Sequence, residues 1–113
     1  MPQPKELVAA SATPIILSIL NDGENYGYEI IRTLKNLSDS EIQWTDGMLY
    51  PVLRRLEKNG HVRSKWRVSE SGKKRRYYRL AKSGIAHLKE YKKQWLITNR
   101  VLDELWGGVA CSI

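Results

Sequence analysis

A mainly α-helical chain with one small β-hairpin is what the 113-residue sequence predicts, and three observations predict it. Apolar residues recur at steps of three and four over most of the chain, the spacing of a buried helix face. From Val62 to Leu80 the step becomes two, as in strands, around a Ser-Gly turn. After Ser83 the helical step returns and persists to Trp106. The length suits one domain with a modest core.

The first helix runs from Lys5 to Asn21, with Val8, Ala12, Ile15, Ile16, Ile19 and Leu20 as its apolar face. Pro14 bends it or begins its stronger half, and Asp22-Gly23 stops it. Asn25 is expected to cap a second helix, in which Tyr26, Ile30, Leu34 and Leu37 form the apolar stripe. Ser38-Asp39-Ser40 breaks that pattern, and Ile42 and Trp44 alternate like a short strand. Thr45 or Asp46 caps the third helix, which ends at Asn59-Gly60.

Two strands follow. Val62, Ser64, Trp66 and Val68 fall on one side and Arg63, Lys65 and Arg67 on the other. Residues 69–73 turn the chain, which returns with Tyr78 and Leu80 on the apolar side and Arg75, Tyr77 and Arg79 opposite. Residues 83–106 then form a helix about 36 Å long at ~1.5 Å per residue. Its residues Leu88, Tyr91, Trp95, Thr98, Leu102 and Leu105 keep the heptad-like spacing of a helix packed along another helix.

The net charge is +7, and it is concentrated. Between His61 and Arg79 stand Arg63, Lys65, Arg67, Lys73, Lys74, Arg75, Arg76 and Arg79 against one acid, Glu70, while the rest of the chain is neutral overall. Such a segment is the footprint of a surface that meets a polyanion. His61 and His87 are isolated in sequence, and no Cys/His cluster, glycine-rich phosphate loop or nucleophile elbow appears, so neither catalysis nor a metal or other cofactor is expected. Cys111 has no partner for an intrachain disulfide, which suits a reducing compartment. With no apolar run near the ~20 residues of a membrane span and no cleavable leader pattern, a cytoplasmic location without membrane contact is expected.

On a helical wheel the third helix puts Leu49, Val52, Leu53 and Leu56 on its core side. Gly47, Pro51, Arg54 and Lys58 share the outward stripe, flanked by Tyr50 and Arg55. An interior proline costs a helix about 3 kcal/mol, less near its start. Here its ring opposes the carbonyl of Gly47, a residue without a side chain, leaving a low-profile helix start able to approach a duplex closely. Two helices, a turn, a third helix with a basic outward stripe and a basic hairpin are the parts of a winged helix-turn-helix. Its expected extent is residues 5–80, followed by a dimerisation helix over residues 81–106.

The segments "YGYEI" (residues 26–30), "GMLYPVLRRLEKNG" (residues 47–60) and "KKRRYYRLAKSG" (residues 73–84) resemble the signature segments of PadR-type bacterial transcriptional regulators. The likeness covers roughly residues 10–106, and the single C-terminal helix resembles the short branch of that family. It implies a homodimeric repressor on a palindromic operator, in many members released by a small aromatic or lipophilic compound. Met48 stands where the family motif often has threonine, which removes one hydroxyl contact. The motifs, the stripe and the hairpin together define the expected DNA-contacting set: Tyr26, Thr45, Asp46, Gly47, Met48, Tyr50, Pro51, Arg54, Lys58, Lys73, Lys74, Arg75, Arg76 and Tyr77.

On the last helix, Leu88, Trp95, Leu102 and Leu105 are expected to face a twofold mate, since an unshielded stripe of this size marks an interface. Trp95, with Tyr91 and Trp106, also suits a pocket for a flat aromatic effector, and both roles for Trp95 remain open at this point. Two other functions use the same parts: a winged-helix RNA-binding module, which calls for exposed aromatic platforms of which Tyr50 and Tyr77 are the candidates, and a protein adaptor, which leaves the concentrated charge unexplained.

Overall fold

The structure, a computed structural model, describes residues 3–107, so Cys111 lies outside the described residues. Helix α1 (Lys5–Asn21) runs through the middle of the core, with Ile16 and Leu17 wholly enclosed and Ala12, Ile19 and Leu20 nearly so. Pro14 sits inside this helix without ending it. The face is wider than the sequence suggests, because Leu17 joins it and Thr13 is buried too. Arg55 Nη2 donates to Thr13 Oγ1 at 3.1 Å, which satisfies that hydroxyl and ties α1 to the third helix.

Strand β1 (Asn25–Tyr26) occupies the place where a helix cap was expected. Asn25 pairs with Tyr78 and Tyr26 with Tyr77, and the Asn25 Oδ1 accepts from the next amide, that of Tyr26, at 2.9 Å. Helix α2 (Gly27–Leu37) therefore starts after Tyr26 and not after Asn25, with no side chain closing its first turn. Ile30 and Leu34 are buried as expected, whereas Leu37 is 75% exposed at the helix end.

The expected strand at Ile42 and Trp44 does not form. Asp39 and Ser40 have positive φ, and Ser38 Oγ accepts from Ile42 N at 2.9 Å, so the chain is turned back on itself and offers no straight edge to a sheet. Trp44 is buried within the core cluster.

Helix α3 (Asp46–Lys58) begins after Thr45, which closes the first turn through its backbone carbonyl, accepting from Met48 N and Leu49 N at 3.1 Å. Leu49, Leu53 and Leu56 are buried and Val52 is half-buried. Strands β2 (Val62–Val68) and β3 (Lys74–Leu80) complete a three-stranded antiparallel sheet in the order β1, β3, β2. The register pairs Val62 with Leu80, Ser64 with Tyr78 and Trp66 with Arg76. Val62 and Tyr78 are buried, but the apolar side does not continue outward: Trp66 is 57% exposed and Val68 is 69% exposed. The hairpin has outgrown the helices that cover its base.

Helix α4 (Lys82–Leu105) leaves the sheet over a close crossing. The His61 carbonyl accepts from Ala81 N at 3.0 Å, and a side chain at Gly84 would collide with that same oxygen, so glycine is what lets the two segments meet. Leu88 is 3% exposed within the chain itself, where it joins the core. Past it Tyr91 still packs against the core, while Leu96, Ile97, Val101 and Leu105 are exposed.

Candidate nucleic-acid interface

The outward stripe of α3 is open to solvent along its length: Thr45, Asp46, Gly47, Met48, Pro51, Arg54 and Lys58 are all exposed. Gly47 has no steric reason inside the chain, because an added Cβ would meet only Thr45 Oγ1 at 3.7 Å, an ordinary contact. A glycine in a helix costs about 1 kcal/mol relative to alanine, so its use here fits a surface that something else must approach closely.

Tyr50 does not project freely from the edge of α3. It is half-buried, and its hydroxyl lies against Gly27, where any side chain would displace it. Burial, with the Asp46 carboxylate as the smaller cause, holds its phenol above the ordinary value. Tyr50 is thus a fixed, neutral O–H donor at the seam of α2 and α3, well suited to a phosphate oxygen.

Between α3 and the hairpin lies a groove of about 420 Å³ whose walls include Tyr50 and Arg54 on one side and Trp66, Lys74, Arg75 and Arg76 on the other. Arg76 fixes their relation: its Nη2 donates to Glu57 Oε1 at 3.1 Å and its Nε to Ser64 Oγ at 2.8 Å. The wing is thereby braced against the third helix. Tyr26 reaches the same groove through β1, with Arg75 stacked 4.4 Å from its ring centroid and Tyr77 edge-on at 5.2 Å. Both tyrosines are half-buried by this stacking.

The basic hairpin is not uniformly free. Arg67 and Lys65 share Glu24, Arg67 also stacks 4.3 Å from the Tyr77 centroid, and Arg76 is held by Glu57. Lys73 and Lys74 at its outer end are exposed and without ion pairs among the described residues. The charge that the sequence places in one segment therefore divides into cations that build the wing and cations left for a ligand.

On α4, Tyr91 and Trp95 are half-buried, Leu102 is half-buried, and Leu105 and Trp106 are largely exposed. Trp95 lines an apolar depression of about 440 Å³ with Pro14, Ile15, Leu34 and Leu88. Tyr91 packs edge-on against His87, which is itself stacked on His61 at 4.3 Å. Leu96, Ile97 and Val101 are further exposed apolar residues, and the four-residue steps from Ile97 to Val101 to Leu105 are the sequence signal for the last two. Leu88, expected on this outer face, is instead enclosed by the chain's own core.

Among the described residues no group of three or more metal-ligating side chains occurs, and no helix there is long and apolar enough to cross a membrane.

Residues 16–90 match the model of the transcriptional regulator PadR-like family. A transcriptional regulator from Clostridium thermocellum has a similar structure, with a TM-score of 0.81 at 33% identity over 88% of this chain and 97% of that one. A PadR family transcriptional regulator from Eggerthella lenta superposes with a TM-score of 0.75 at 33% identity, over 89% of this chain and 86% of the other. The transcriptional regulator YqjI of Escherichia coli is 33% identical over 80% of this chain, which spans 38% of that protein. With the helices, the braced wing and the long terminal helix in place, the chain belongs to the PadR-like family of DNA-binding, non-enzymatic transcriptional regulators.

Proposed function

We propose that the protein is a cytoplasmic, dimeric repressor that holds a palindromic operator and releases it when a small aromatic or lipophilic compound binds. Residues 5–80 serve as the DNA-binding unit and residues 81–106 as the dimerisation arm. The observation that carries this reading is the single groove joining the exposed stripe of α3 to the cationic wing, with Arg54 and Arg76 on its two walls. In this reading α3 enters the major groove, Tyr50 and Arg54 fix its register on phosphates, and Lys73 and Lys74 take the neighbouring backbone.

The exposed apolar residues of the distal part of α4 support a second copy of the chain as the partner there. The depression beside Trp95 supports the effector, since it is apolar, flanked by one cation at Lys92, and lies between α1, α2 and α4. A compound seated there would bear on the angle at which the arm leaves the DNA-binding unit.

Selection of bound duplexes from a random pool tests the reading, followed by titration of the selected duplex at several salt concentrations. Wild type should lose affinity steeply with salt, by about 0.9 log units per contacted phosphate per decade. Arg54→Ala should weaken binding at least tenfold and lower that slope by about one contact. A pool that yields no preferred duplex, or an Arg54→Ala variant that binds like wild type, refutes the assignment of α3.

A further inference from the structure

We infer that Trp66 is a DNA contact of the wing, its indole lying on the deoxyribose backbone of the strand that passes between α3 and the hairpin. The inference rests on the DNA-binding reading above and adds to it a residue of a different kind, one that supplies apolar area and not charge.

Trp66 is 57% exposed, although tryptophan is among the residues that proteins bury most on average. The helices that cover Val62 and Tyr78 leave more than half of this residue open to solvent. Its surroundings identify what covers the ring. Lys74 Nζ lies 5.5 Å and Arg76 Cζ 6.0 Å from the ring centroid, and Arg54 lines the same groove.

The strand register sets Trp66 opposite Arg76 and Val68 opposite Lys74, so apolar and cationic groups share one face of the wing. An apolar protein segment laid here would have to desolvate these cations without carboxylates to receive them. A nucleic-acid backbone presents the complementary order, anionic phosphates with apolar sugar faces between them. Phosphate and sugar together take half or more of the hydrogen bonds that proteins make to DNA. A double strand is favoured over a single one because Arg54, on the exposed stripe of α3, lines the same groove, and a major groove admits the breadth of an α-helix. The wing's outer cations then hold two phosphates while the ring covers the sugar between them.

The test uses the full chain and the duplex it selects. Trp66→Ala should weaken binding about tenfold or more at every salt concentration while leaving the slope of log affinity against log salt unchanged, because no charge is removed. Trp66→Phe should recover most of the loss, and the thermal midpoints of both variants should stay near wild type because the ring is exposed. Three results overturn the inference. Affinity of Trp66→Ala within twofold of wild type refutes it outright; a slope reduced by about 0.9, one phosphate, shows the ring acting only as a prop for Lys74 or Arg76; and a loss confined to single-stranded DNA shows it to be a base-stacking platform. Failure of wild type to retain any duplex overturns the regulator reading itself, which is thus distinguished from failure at Trp66.

Discussion

His61 and His87 are the residues whose chemistry sequence position hides most completely, being 26 residues apart in the chain and stacked at 4.3 Å with nearly parallel rings. Ser83 Oγ donates to the Gly60 carbonyl at 2.8 Å, so it accepts from His61 Nδ1 at 3.1 Å, which leaves the proton of neutral His61 on Nδ1. Burial, and secondly the neighbouring His61 ring, hold His87 below its ordinary value of 6.5. A base whose folded value is depressed binds fewer protons when folded, so it supports the fold fully above 6.5 and withdraws that support as pH falls through the lowered value. Thermal midpoints measured from pH 7.5 down to pH 5 should therefore drop, more steeply for wild type than for His87→Gln, which cannot charge. Parallel curves for the two proteins would remove His87 from the account. The pair joins the α3–β2 connection to α4.

At the scale of elements, two glycines with opposite surroundings predict opposite outcomes. Gly84, in the first turn of α4, touches the His61 carbonyl so closely that a side chain must push backbone aside. Gly84→Ala should cost roughly 1–3 kcal/mol of stability despite alanine's better helix propensity. Gly47, in the first turn of α3, has room, so Gly47→Ala should be neutral or stabilising by up to about 1 kcal/mol and yet weaken operator binding. Denaturant unfolding with DNA titration checks the pair, and a destabilised Gly47→Ala would mean that its glycine serves the fold. The sequence shows that Gly47 lies on the outward stripe, since Leu49, Leu53 and Leu56 fix the inward one. It cannot show the Gly84 crossing, which depends on where the hairpin returns. The same limit explains β1, whose two residues pair with a strand some fifty positions away, and Ile42 and Trp44, whose alternation serves a turn held by Ser38. Alternation places Trp66 on the same side of its strand as Val62 but does not show how far the covering helices extend. Arg54, Pro51 and Lys58 were legible because a single helix face decides them.

For the whole molecule, shape carries the argument. The Cα radius of gyration is 15.6 Å, against about 13 Å for a compact chain of this length, and the longest axis is 53 Å. The excess is α4, whose proximal turns are anchored by Leu88 while the distal turns expose Leu96, Ile97, Val101 and Leu105. An arm of this kind exposes apolar surface that a twofold mate would cover, and two DNA-binding parts joined through it could reach successive major grooves about 34 Å apart. Leu102→Asp, on this distal half, should therefore yield a folded monomer, because Leu102 lies outside the buried core cluster. Sedimentation should report half the wild-type mass with the circular dichroism of a helical protein retained. Binding to a palindromic duplex should fall by about a hundredfold or more as the second half-site loses its tether, while affinity for a single half-site changes little. A variant that stays dimeric and keeps its palindrome affinity would move the interface off α4 and detach the arm from operator spacing.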